Sequence, residues 1–261
     1  LSQSKGISLF QPPRMRDPEV YSAFADLNPD LGVMAFVTDI IPENILNCPK
    51  LGTIQYHPSL LPKHRGGSAI NWAIIQGEVK TGLTIFWPDK GLDTGPILLQ
   101  KEVAIDPDDT VGSLYFDKLF PLGVEAFMEA IDLIKAGKAP RTTQDEPQAT
   151  YEALCRGDAV KISWEKAAPQ VYNLIRGSNP QPGAFTFSNG EPLKIFDCEP
   201  RLQASDALPG ELIDIEEKGF SVAAQGGIIL VKRVQPQASP KIPAQEFIQQ
   251  KGLKVGDRFG E

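Results

Sequence analysis

The chain has 261 residues, 41% of them hydrophobic and 23% charged, with a formal net charge of −7. This is enough apolar material for one large domain or two of ordinary size, and it excludes a disordered chain. Residues 1–150 hold 13 Lys and Arg against 19 Asp and Glu, and residues 151–261 hold 13 against 14, so neither half is the basic footprint that phosphate neutralisation requires.

Residues 6–10, Gly-Ile-Ser-Leu-Phe, read as a strand, and Asp17-Pro18-Glu19 as an N-cap with proline at the first helical position. Val20, Phe24 and Leu27 then share one helical face. The near-continuous apolar run at residues 31–37 fits a strand buried on both sides. A short helix at 42–47, a strand at 53–56, a helix at 68–76 and strands at 81–86 and 97–103 follow. The longest helix comes after Asp108-Asp109-Thr110, with Val124, Phe127, Met128, Ile131 and Ile134 at helical spacing and Pro121 expected to kink or interrupt it. Strand and helix in alternation predict an α/β fold, an open, mostly parallel Rossmann-like sheet with helices on both faces.

Residues 137–150 lack periodicity and are rich in polar residues and proline, which marks a linker between a first domain, 1–136, and a second, 151–261. After a helix at 169–176 the pattern changes to short strands at 184–187, 193–196, 211–215, 220–224 and 228–234, punctuated by Gly and Pro as in a small β-barrel or sandwich. A short helix at 243–250 closes it. No apolar stretch approaches the roughly 20 residues of a membrane span, and Leu1-Ser2-Gln3-Ser4-Lys5 opens no signal peptide, so a cytoplasmic protein with no membrane partner is expected. Cys48, Cys155 and Cys198 lie far apart and form no Cys-x-x-Cys pair, as packed or free thiols would.

Chemistry is concentrated in one place. Tyr56-His57-Pro58-Ser59-Leu60-Leu61-Pro62-Lys63-His64-Arg65-Gly66 contains both histidines, and Gly91-Leu92-Asp93-Thr94-Gly95 follows it. A strand that ends in His57 delivers its imidazole to the carboxyl edge of the sheet, where α/β folds place ligands, and a loop between two strands of the same sheet can bring Asp93 there. The two can form an acid/base couple, or His57 can be a satisfied structural residue and the glycine-flanked loop only a tight turn. Two histidines with no nearby cysteine do not make a zinc site, and there is no Walker sequence, Gly-x-Gly-x-x-Gly or Gly-x-Ser-x-Gly.

These motifs resemble the 10-formyltetrahydrofolate-using formyltransferases, a family that includes methionyl-tRNA formyltransferase and the hydrolase domain of 10-formyltetrahydrofolate dehydrogenase. The likeness is strongest over residues 51–100, where Ser-Leu-Leu-Pro-x-x-Arg-Gly and Gly-Leu-Asp-Thr-Gly stand in the family's order. Lys161-Ile162-Ser163-Trp164 and Asn179-Pro180-Gln181-Pro182-Gly183-Ala184 look like its passage into a C-terminal β-domain. The resemblance implies His57 as catalytic histidine, Asp93 as essential aspartate, and Ser59, Leu60, Leu61 and Pro62 as a folate-contacting turn. It implies that Asp39, Ile40 and Ile41 line the folate pocket, that 10-formyltetrahydrofolate is the formyl donor, and that no metal takes part. The family's amine-formylating members carry asparagine two residues before the histidine; here Gln55 stands there, the same amide on a longer stem, and the acceptor stays open among initiator methionyl-tRNA, water and a sugar-nucleotide amine. A folate-binding protein without turnover is the remaining alternative. The family's first strand-helix-strand unit has no counterpart before Leu1, so a fragment is expected.

Overall fold

The computed structural model describes residues 2–37, 39–203 and 205–260. Two sheets organise them. The first is built from β1 (Gly32–Met34), β2 (Thr53–His57), β3 (Lys80–Phe86) and β4 (Ile97–Ala104), side by side in chain order. Helices α1 (Pro18–Asp26), α2 (Glu43–Leu46), α3 (Ala69–Ile75), α4 (Val111–Ser113) and α5 (Phe120–Lys135) connect and cover it. Residues 6–10 form no strand: Ile7, Leu9 and Phe10 are exposed, and no described segment supplies the ladder that a strand needs.

The α/β class and the open sheet are as expected, but parallel pairing is confined to β1 and β2. The other two pairs are antiparallel. Leu60, Lys63 and His64 line the same pocket as residues 77–81, so the connection leaving β2 and the chain entering β3 meet at one end of the sheet, and β3 must run back. Between β3 and β4 the loop is closed by Trp87 N donating to Pro96 O at 2.9 Å, a hairpin that permits only antiparallel strands.

Ile54, Tyr56, Leu83, Ile85 and Leu98 of this sheet pack against Ala126, Ala130 and Ile134 of α5. Ile54, Leu83 and Ile85 are fully buried, and truncating any one to alanine is expected to cost about 2–5 kcal/mol. Of the predicted face of α5, Ile134 is buried and Phe127 and Ile131 pack against the same core, while Val124 and Met128 are exposed and Gly123, Ala126 and Ala130 face the sheet. A Cβ at Gly123 would lie 3.0 Å from the Tyr56 ring, so small residues set the approach of helix and sheet. Pro121 stands in the first turn of α5, and directly before it the helical run that starts at α4 leaves the α pattern for a π-helical stretch at Leu114–Leu119, the interruption expected of a residue with no N–H to donate.

The second sheet is antiparallel: β5 (Ala184–Ser188), β6 (Glu191–Arg201), β9 (Gly227–Pro236), β8 (Gly219–Ala224) and β7 (Leu212–Glu216) lie in that order, with β10 (Ile242–Pro243) on β9. These strands and helices α6 (Ala168–Arg176) and α7 (Ala244–Lys251) match the predicted pattern closely. Residues 256–260 join the outer strands. Gly256 N donates to Leu212 O and Phe259 N to Gly210 O, and Gly260 N donates to Phe187 O, each at 2.8 Å. The sheet is thereby closed as a barrel, the arrangement that removes free edges. Val171 and Ile175 of α6 and Phe247 and Ile248 of α7 fill its core.

The barrel is docked through α6 on α3 and on the loop before α4. Asn71 Nδ2 donates to Gly177 O at 2.8 Å, and the buried Arg176 Nη1 donates to Asp109 O at 2.9 Å. Residues 137–150, expected as a linker, lie against the first sheet. Thr142 and Ile97 exchange both backbone hydrogen bonds, Trp87 Nε1 donates to Pro140 O at 2.9 Å, and the Arg141 guanidinium sits 3.9 Å from the Trp87 ring centroid. No described helix is long and apolar enough to cross a membrane.

Candidate active site

The last residue of β2 is His57, paired across the sheet with Thr84 of β3. Its ring is 95% buried, and Nε2 lies 2.7 Å from His64 O. A carbonyl oxygen only accepts, so the proton is on Nε2 and the neutral ring presents Nδ1 as a bare acceptor. That atom lies 3.5 Å from Asp93 Oδ2. Burial lowers the His57 pKa by more than the Asp93 charge and the His64 carbonyl raise it, so the imidazole rests neutral with a negative charge at hand for its protonated form. The sequence-based pairing of His57 with Asp93 is thus present in the geometry.

Asp93 is itself buried and is held in the left-handed region, φ +57°, which is sparsely populated by residues with a side chain. Its loop is built to tolerate this. Asp89 Oδ1 accepts from Gly91 N and Thr94 Oγ1, and a Cβ at Gly95 would fall 1.8 Å from Trp87 O, so glycine is obligatory there. Gly66 N, from the segment that follows His57, donates to Asp93 Oδ2 at 2.8 Å.

Residues 59–62 form a turn whose polar groups are spent internally. Ser59 is fully buried and donates through Oγ to Lys63 O at 2.6 Å, so its hydroxyl shapes the turn and has no proton left for a ligand. Thr84 Oγ1 donates to Ser59 O at 2.7 Å and accepts from Leu61 N at 3.1 Å, while Gln100 Nε2 donates to Leu61 O and Thr84 Oγ1, both at 2.9 Å. Leu61 is buried, Leu60 half-buried, and Pro62 O accepts from Thr150 N. Gln55 lies on the same face of β2 as His57, two residues back, half-exposed, and its amide has no hydrogen-bond partner among the described residues. Asp39, Ile40 and Ile41 are in a loop before α2, with Ile40 88% exposed. No hydrogen bond joins them to His57, Asp93 or the turn.

The second histidine has a different environment. His64 is buried, with Nε2 and Nδ1 each 3.1 Å from a carboxylate oxygen, of Glu78 and Glu152 respectively. Burial pulls its pKa down, but the hydrogen bond to Glu78 and the charges of Glu152 and Glu78 outweigh it, and the pKa is raised. Arg65 N donates to Thr150 O at 3.0 Å, which fixes the peptide carrying the His64 carbonyl used by His57, and the His64 backbone N–H donates to Thr150 Oγ1 at 2.8 Å. These partners lie far along the chain, and no spacing in the sequence pointed to them.

A cleft of about 270 Å³ is lined by Pro58, the residue after His57, with Phe36, Tyr115, Phe116, Pro180 and Gln181 and the start of α3, but not by His57 or Asp93 themselves. Its walls are mostly apolar, suited to a flat aromatic ligand or an apolar side chain. Among the described residues no group of three or more His, Cys, Asp and Glu is placed to hold a metal ion. All three cysteines are unpaired.

The formyl transferase family model matches residues 2–131, and its C-terminal domain matches residues 157–252. Over 261 residues the chain is 40% identical to the mitochondrial 10-formyltetrahydrofolate dehydrogenase of Homo sapiens, with 94% of this chain and 28% of that protein covered. It therefore spans little more than a quarter of that relative. It is 37% identical over 254 residues to the methionyl-tRNA formyltransferase of Syntrophus aciditrophicus (strain SB), covering 97% of this chain and 81% of that protein. Among solved structures, HypX from Aquifex aeolicus in complex with tetrahydrofolic acid has the same fold, with a TM-score of 0.74 at 21% identity, covering 92% of this chain and 42% of that one. The sugar 3N-formyl transferase WlaRD, in the presence of dTDP and 5-N-formyl-THF, has a TM-score of 0.64 at 21% identity, covering 92% and 81%.

Proposed function

The chain belongs to the formyl transferase family, and from that premise we propose that His57 and Asp93 carry out transfer of the formyl group of 10-formyltetrahydrofolate to a nucleophile. The observation that carries the reading is the orientation of His57: Nε2–H tied to the His64 carbonyl, Nδ1 bare and 3.5 Å from the Asp93 carboxylate.

The formyl group on N10 is an amide-like carbonyl. Attack by an amine or water forms a tetrahedral oxyanion and releases a proton, and N10 must then leave as an amine. Neutral His57 takes the nucleophile's proton on Nδ1, and the imidazolium so formed is stabilised by Asp93. The same proton passes to N10 as the C–N bond breaks, which returns His57 to its resting state. The His57 Nε2–H is already engaged, so Gln55, whose amide is unoccupied, is the donor we assign to the oxyanion. Leu60, Leu61 and Pro62 contribute surface to the folate, Ser59 supports them from within, and Asp39, Ile40 and Ile41 offer backbone groups to the pterin.

For the acceptor we favour initiator methionyl-tRNA, supported by the match over 81% of a methionyl-tRNA formyltransferase with both family domains included. Water is the second reading, favoured by Gln55 in place of asparagine and by the 40% identity to a 10-formyltetrahydrofolate dehydrogenase. We propose a cytoplasmic setting for the tRNA reading, whereas the dehydrogenase relative behind the second is mitochondrial. Tetrahydrofolate release from 10-formyltetrahydrofolate, followed with and without charged initiator tRNA, separates them. Release that requires the tRNA and yields formylmethionine supports the first reading. Equal release without it supports the second, and none under either condition overturns both.

A further inference from the structure

Two buried polar side chains have no role in the chemistry above. Arg65 is 1% exposed and Gln144 is 5% exposed. We propose that Gln144, held by Arg65, is a positioning residue that clamps the Asp93 loop in register with His57; the inference rests on the assignment of Asp93 to formyl transfer.

Gln144 Nε2 donates to Asp93 O at 2.8 Å and to Gly95 O at 2.7 Å. One amide therefore spans the carbonyls on both sides of Thr94 and fixes the direction of the peptide that leaves Asp93, the residue in the left-handed region. The acceptor end of the same amide is saturated: Arg65 Nε and Nη2 donate to Gln144 Oε1 at 3.1 and 2.8 Å. This fork fixes which end of the amide faces the loop, because the oxygen must face the guanidinium and the NH2 the carbonyls. Arg65 is held in turn by Glu146 at 2.6 Å and by the Tyr151 hydroxyl at 2.7 Å. Its neighbour Gly66 donates to the Asp93 carboxylate, so the contacts close a ring from Arg65 through Gln144 and Asp93 to Gly66 and back along the chain. Backbone and carboxylate of Asp93 are thus fixed from two directions by adjacent residues of the segment that also supplies His57.

Anchorage of residues 137–150 does not need this amide. That segment is already fastened by the two Thr142–Ile97 backbone bonds, the Trp87 bond to Pro140 O and the Arg141 stack on Trp87. What Gln144 adds is donation into the loop.

Two variants separate donation from packing. Gln144→Glu keeps the acceptor for Arg65 and the side-chain volume but removes both donors; Gln144→Met is uncharged and covers the case in which a second carboxylate near Arg65 destabilises the fold. Each is assayed by tetrahydrofolate release and by binding of tetrahydrofolate, beside wild type and Asp93→Ala. Turnover is expected to fall about 100-fold in both Gln144 variants, with the KM for 10-formyltetrahydrofolate and the affinity for tetrahydrofolate within about threefold of wild type. Wild-type turnover in either Gln144 variant overturns the proposal, as does a loss confined to KM and melting temperature. Wild-type turnover in Asp93→Ala instead removes the reading on which it rests, and slow Asp93→Ala beside a normal Gln144→Glu removes the clamp alone.

Discussion

Replacing Asp93 with asparagine removes one charge and almost no volume. The carboxylate lies 3.5 Å from His57 Nδ1, and both side chains are over 90% buried. At an effective dielectric of about 20, unit charges at this distance attract by roughly 5 kcal/mol. Carboxylate neighbours shift measured pKa values by about one to three units, or roughly 1.4 to 4 kcal/mol, and this lower range is the better guide because it includes relaxation of protein and solvent. The imidazolium formed during attack loses that support, so turnover should fall about 10- to 1,000-fold. The pH profile has a definite sign. Asp93 raises the His57 pKa, so its removal lowers that pKa further, and the acid limb of kcat/KM, which follows loss of the neutral imidazole, moves to lower pH. The amide oxygen still accepts from Gly66 N, so the melting temperature should change little. Tetrahydrofolate release measured from about pH 5 to 9 is the assay. Turnover within about threefold of wild type, or an acid limb that stays in place, would refute the reasoning.

Thr84→Val leaves Ser59 O and Leu61 N without their partner inside the fold, which should cost about 2–4 kcal/mol in urea unfolding; a loss under about 1 kcal/mol would show that the turn repairs itself. Gly95→Ala drives a methyl group into Trp87 O and must displace the Asp93 loop, so turnover should drop at least about tenfold even where the variant remains folded, as circular dichroism would verify. The pKa of His64 is raised in the folded state, so its contribution to stability is fully present below the unfolded value of about 6.5 and is lost as pH rises through the higher folded value. His64→Gln should therefore lower the urea midpoint more at pH 6 than at pH 9, and equal losses at both would contradict the ion-pair account.

Much of the molecule was legible because its signals are local. The hydrophobic runs and glycine punctuation of the barrel gave strands within a few residues of those observed, and His57 and Asp93 stood in motifs that resemblance made specific. The failures share a cause, in that they depend on what a segment meets in space. Residues 6–10 have strand composition but no ladder partner, and α5 turns Gly123 to the sheet where the Tyr56 ring leaves no room for a side chain, while Val124 and Met128 stay exposed. Gln144 sits in a stretch whose polarity reads as solvent-exposed, yet it is buried against a loop some fifty positions earlier in the sequence. A side chain that acts by hydrogen-bonding distant backbone leaves no periodicity behind. For Ser59 the motif marks a ligand-contacting turn, and only the fold shows that its hydroxyl proton goes to Lys63 O within that turn.

The segment at 256–260 that joins β7 to β5 has a consequence for how the protein is made. Synthesis runs from the N-terminus, and the strands on either side of this seam are complete well before their shared partner leaves the ribosome. Until Phe259 and Gly260 arrive, β7 and the part of β5 beyond its bridge to Lys161 carry unpaired backbone edges, and Trp164 and Phe220 lack the ring that packs between them. Closure is thus a late event that joins contacts of long sequence separation, the kind that slows folding and leaves sticky intermediates. Released chains that end just before Gly256 should have a first sheet that resists protease and a barrel that does not.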